Sequence, residues 1–143
     1  MIKEDKELLL IDLCARLPYG VFCVGTTYEL DDDGERYIPV KVKDTLTEIH
    51  NYNLETASVR LGLISSCKLE TVKPYLRPMS SMTEEEWNDY KSTWKLIEHD
   101  LEDTYEPCIE SFDWLNTHHF DYRGLIEKGL AIAVTEENNP YKE

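Results

Sequence analysis

The apolar residues of this chain change their period near Pro74, and that switch constrains the fold more than any other feature. From Gly20 onward, Val21, Cys23 and their neighbours Phe22, Val24 alternate, the period of two that belongs to strands. Beyond Pro74 the apolar positions step by three and four, the period of a helix face. Blocks of strand and helix period lying apart along one chain predict an α+β fold. The expected form is a small antiparallel sheet of about four to five strands, with an N-terminal helix and a C-terminal helical segment packed on it.

Within residues 1–73 the spacing predicts one helix and a meander. Leu10, Leu13, Cys14 and Leu17 share a helix face over 3–17, with Glu4 and Asp5 near its positive end, and Pro18-Tyr19-Gly20 stops it. A strand from Val21 to Leu30 meets Asp33-Gly34, a dipeptide that tolerates the positive φ of a hairpin turn, and Tyr37 to Val42 returns. Thr45 to Tyr52, Ala57 to Ser66 and a short Glu70-Thr71-Val72 read as further strands. Within 74–134 the reading is mainly helical. Thr83-Glu84-Glu85-Glu86 is a capping box, and Trp87, Tyr90, Trp94, Ile97 and Leu101 form a seam expected to dock on the sheet. A second helix runs from Ile109 to about His118-His119, a third from Tyr122 to Lys128 capped by Asp121, and Leu130 to Val134 returns to the sheet. Residues 135–143 are expected to fray, and 1–143 is read as a single domain.

Charge narrows the function. With 15 Lys and Arg against 29 Asp and Glu the net charge is -14, which argues against direct nucleic-acid binding and for cationic partners. The uncharged stretch 17 to 28 holds Pro18 and two glycines and falls far short of the ~20 apolar residues of a membrane helix. No signal-peptide core stands before Asp12, so a cytoplasmic protein with no membrane contact is expected, its four cysteines reduced and mostly packed. No phosphate-binding loop, zinc-protease or nucleophile-elbow motif occurs, so no cofactor, metal or catalytic residue is assigned.

Two clusters are candidate ligand-binding groups. Asn116 to Gly124 brings His118, His119, Asp121, Tyr122 and Arg123 together; Arg123 could fork onto phosphate or carboxylate while His119 or Tyr122 stacks or donates. Asp121 could instead cap a helix and pair with Arg123, and His119 with Asp121 plus distant His99 or Asp113 makes a poor metal set. Lys68, Lys73, Tyr75 and Arg77 are a local positive excess, suited to an anion or to offsetting the acidic cap at Glu84 to Glu86. Asp31-Asp32-Asp33-Gly34 departs from the calcium-loop pattern and reads as a turn.

Three strings, LIDLCARLPYGV at 10–21, KPYLRPMSSMTEEE at 73–86 and DWLNTHHFDYRGLIEKGLA at 113–131, cover about a third of the chain. They resemble a family of short proteins associated with gut Bacteroidales and their prophages, to which no activity attaches. The resemblance implies a setting: an accessory protein of phage or mobile-element origin acting in the host cytoplasm, with the intervening 22–72 carrying specificity. The expectation is a non-enzymatic binding protein that captures a host protein or a small anionic, nucleotide-like ligand, in a role that could counter bacterial defence. The alternatives are an acidic nucleic-acid mimic, and a small hydrolase using His118, His119 and Asp121. The Trp87–Trp94–Leu101 seam is a candidate for homo-oligomer pairing as well as for a core face.

Overall fold

The computed structural model describes residues 1–51, 53–98 and 100–142. Its class is α+β: helices α1 (Lys3–Arg16), α2 (Glu84–Lys91) and α3 (Ile109–Thr117) accompany a mostly antiparallel sheet. Strands β1 (Phe22–Leu30), β2 (Tyr37–His50), β3 (Ser58–Leu61) and β4 (Ser65–Lys68) form the expected meander. Strand β5 (Lys73–Pro78) then crosses back to lie beside β1. Strands β6 (Lys95–Ile97) and β7 (Thr104–Glu106) make a separate hairpin, while β8 (Phe120–Asp121) and β9 (Ile132–Ala133) join β5 in parallel.

Several boundaries differ from the sequence reading, each for a local reason. Strand β2 continues without a break where two strands were expected, because it pairs first with β1 and then, past an irregularity between Leu46 and Glu48, with β3. The single strand expected over Ala57 to Ser66 is a hairpin folded at Gly62, whose φ of 67° suits glycine. Glu70-Thr71-Val72 is not a strand; Thr71 Oγ1 donates to Lys68 O and accepts from Thr26 N–H, holding a 3-10 turn. Helix α2 ends at Lys91 rather than Leu101, because the Ser92 and Thr93 hydroxyls donate back to Asp89 O and Tyr90 O. The third helix is absent: Gly124 at φ 77° breaks it, and Asp121 instead accepts from Leu125 and Ile126 N–H. Tyr52 and His99 lie outside the described residues.

The main core joins Leu9 and Leu13 of α1 to Val21, Cys23, Leu46, Val59, Cys67 and Leu76, with Leu125 and Leu130 from the C-terminal turns. At Gly25 a Cβ would fall 2.9 Å from Cys67 Sγ, so β1 and β4 curl together over this point. Helix α2 sets its aromatic seam against α3 and the edge strand β8 rather than across the meander. Tyr90 packs with Leu115 and Phe120 in a second small core with α3, while Leu101 is wholly exposed.

Candidate functional site

Of the expected stripe Leu10, Leu13, Cys14 and Leu17, helix α1 buries Leu13 and leaves Leu10 and Leu17 half-buried against the core, while Cys14 is exposed; its other buried residues are Leu9, Asp12 and Arg16. Asp12 and Arg16 are both 0% exposed, and Arg16 Nε donates to Asp12 Oδ2 at 2.8 Å while its Nη2 donates to Phe120 O at 2.7 Å. The other carboxylate oxygen accepts from Arg123 Nη1 at 2.9 Å, and both guanidinium groups lie over the Tyr122 ring, at 5.0 and 4.6 Å. Tyr122 donates onward to Asn116 Oδ1 at 2.9 Å. Three of the candidate ligand residues are thereby accounted for. Arg123 pairs with Asp12 instead of Asp121, Asp121 holds backbone amides, and Tyr122 stacks between two arginines.

Of the other candidates, Arg77, His118 and His119 come together at a groove where the C terminus of α3 meets β5 and residues 139–142, while Tyr75 does not line it. One pocket of about 430 Å³ is lined by Arg77, Thr117, His118, His119, Asn139 and Tyr141; a second, of about 560 Å³, shares Arg77 and Asn139 and adds Ser81 and Lys142. Arg77 is already held: its Nη1 and Nη2 donate to the two carboxylate oxygens of Glu86, both at 2.7 Å, and it lies 4.2 Å from the Phe120 ring centre. The Arg77 pair keeps the Glu86 carboxyl well below its ordinary range, at about 2, and Glu86 closes the predicted capping box with Thr83. The offsetting of the acidic cap is thus present for Arg77.

His119 occupies the residue after the α3 cap with φ 62°, a left-handed position where glycine is usual. Its ring stacks on Tyr141 at 3.7 Å, and its buried Nδ1 has no partner among the described residues. Burial, with Arg16, His118 and Arg77 nearby, pushes its pKa down to about 4; burial lowers His118 too. Both imidazoles are therefore neutral near pH 7. Tyr75 is buried against Phe22 and offers its backbone oxygen to the Tyr141 hydroxyl at 2.7 Å, while that hydroxyl accepts from Phe22 N–H at 2.9 Å. Tyr141 thus pins a tail that was expected to fray, and no periodicity in the sequence marks it. Among the described residues no three His, Cys, Asp or Glu groups gather as a metal site. Cys23 and Cys67 are packed, but Cys14 is exposed, which differs from the packing expected of it.

A second surface was not foreseen as a site. Past Thr27 the β1–β2 hairpin carries Tyr28, Leu30 and Tyr37 at 53%, 54% and 70% exposure. The register pairs Tyr28 with Pro39 and Leu30 with Tyr37, so all four share the face opposite buried Cys23 and Gly25. Backbone bonds Leu46 N to Val21 O and Asp31 N to Arg36 O set the alternation in which Pro39 turns its nitrogen to the open edge of β2. A proline there withholds a donor and blunts pairing along the β2 edge. No helix among the described residues is long and apolar enough to cross a membrane. Comparison with protein-family models, with curated proteins and with solved structures finds no match.

Proposed function

We propose that this chain is a non-enzymatic protein-binding module whose recognition surface is the outer face of the β1–β2 arm. The observation that carries the reading is the grouping of Tyr28, Leu30, Tyr37 and Pro39 on one exposed face, beside an edge blunted by proline. A contiguous exposed apolar patch marks an interaction surface, and aromatic residues are enriched at interface centres. The cations expected to hold a small anion speak against that alternative. Arg77 is neutralised by Glu86, Arg16 is wholly buried and shares the Asp12 carboxylate with Arg123, and the two imidazoles are uncharged at neutral pH. For the hydrolase reading, Asp121 is committed to backbone amides away from any proton-transfer role.

The test is capture of protein from host lysate by the wild-type chain, by a Leu30→Ser/Tyr37→Ser variant and by an Arg77→Ala/His119→Ala variant. Loss in the arm variant alone is expected. Capture that ignores the arm overturns the reading. Nucleic-acid-binding proteins captured independently of the arm and released by salt would favour the acidic mimic. A nucleotide-induced stabilisation, about 2.7 kcal/mol at a hundredfold excess over Kd, that vanishes with Arg77→Ala would move the site to the groove.

A further inference from the structure

The arm's outer face is ordered by charge along its length. The loop at its tip holds Asp31, Asp32, Asp33 and Glu35 against the single Arg36. Next come the rungs Leu30–Tyr37 and Tyr28–Pro39, then Thr26–Lys41, then Val24 flanked by Lys43 on β2 and Lys73 on β5. Cross-strand partners share a face, so Lys41, Lys43 and Lys73 stand on the same side as Tyr28 and Leu30. All three lysines are exposed, and none has an ion-pair partner among the described residues, although the chain carries -14 overall. Closer to the body the same face is covered, since Phe22 packs on Tyr75 beneath Tyr141. The open part therefore begins at Val24 and ends at the acidic tip.

From Val24 to Leu30 is about 20 Å of strand, more than twice the Debye length of about 8 Å at physiological salt. The acidic and basic ends of one arm therefore do not neutralise each other. A two-fold rotation reverses their order. Two arms laid face to face, with the axis at the Tyr28–Pro39 rung, bring the tip of each over the lysines of the other and bury the apolar rungs between them. Such an interface is self-complementary, as a two-fold interface must be. Joining along the β2 edge is opposed by Pro39.

We propose that the occupant of the arm's outer face is a second copy of this chain, joined about a two-fold axis through Tyr28 and Pro39. The inference rests on the arm being a protein-binding surface and names its partner. The test is native mass and sedimentation of the full chain at micromolar concentration, at low and high salt, with circular dichroism to confirm folding. The wild type is expected to dimerise, and Lys41→Glu/Lys43→Glu or Asp32→Lys/Asp33→Lys to raise the dissociation constant by about tenfold or more at low salt. Mixing the two variants restores complementary ends on both sides and is expected to give a 1:1 heterodimer. A wild-type monomer throughout, or a dimer indifferent to all four substitutions, overturns the proposal. A monomer whose lysate capture still requires Leu30 and Tyr37 overturns the dimer while keeping the arm as a surface for another protein; one whose capture ignores them overturns both.

Discussion

Arg123 Nη1 donates to Asp12 Oδ1 at 2.9 Å across 111 positions of sequence, tying the C-terminal turns to the first helix. The same carboxylate holds Arg16 from its other oxygen, so one wholly buried anion is shared by a buried guanidinium and a partly exposed one. Buried charge is tolerable only while every member is paired.

Removing the shared anion is therefore expected to be far worse than removing one cation. Asp12→Ala leaves Arg16 buried and uncompensated, a loss of about 3–5 kcal/mol. Arg123→Ala leaves the Asp12–Arg16 pair intact and forfeits the ion pair to Asp12 and the bond to the Tyr122 hydroxyl, about 1.5–3 kcal/mol because Arg123 is partly exposed. Urea unfolding of the two variants measures the gap. Equal losses would mean that Arg16 does not depend on Asp12.

The depressed pKa of His119 predicts an acid-sensitive fold. An unfolded chain protonates this imidazole near pH 6.5, while the folded one resists until about 4. Above pH 6.5 the group contributes no pH dependence. As pH falls through that interval the unfolded state binds the proton first, so stability declines, levelling off only below about 4. His119→Phe, which can keep the stack on Tyr141, should flatten the decline. A His119 ring that titrates near 6.5 by NMR would refute the burial argument.

Gly25 needs no positive φ; its constraint is space. A Cβ there meets Cys67 Sγ at 2.9 Å and Val72 Cγ2 at 3.2 Å, so Gly25→Ala should cost about 1–3 kcal/mol through overpacking. Adding Cys67→Ala removes the clashing sulfur. The double variant should then be more stable than the sum of the single losses predicts, and strict additivity in a denaturation cycle would show that the two positions do not touch.

Tyr141→Phe deletes one donor and one acceptor together, leaving Phe22 N–H and Tyr75 O without that partner. A loss of about 1–3 kcal/mol is expected, with faster amide exchange at Phe22 while amides of the β3–β4 hairpin keep their rates. Unchanged exchange at Phe22 would mean that the tail does not hold β1.

The extent of each element was set by groups that sequence period does not register. Thr83 with Glu86, and Asp33 with Gly34, act within a few residues, so the start of α2 and the turn between β1 and β2 were legible. Period also marked the first helix and its apolar contacts through Leu10, Leu13 and Leu17, but not the polar residues it buries. The buried face also carries Asp12 and Arg16, which qualify for the interior only because Phe120 and Arg123 arrive from the far end of the chain to pair with them. Likewise β5 was hidden between Pro74 and Pro78, and only its neighbours β1, β8 and β9 make it a strand. Of the candidate site, Arg77, His118 and His119 do meet at one groove, while Tyr141, which completes it, gave no signal. The sequence by itself determined the α+β class, the β1–β2 hairpin with its turn and the start of α2, because periodicity and capping are local. Tertiary structure alone decided which charges are buried and paired and which apolar face stays open, because each depends on partners distant along the chain.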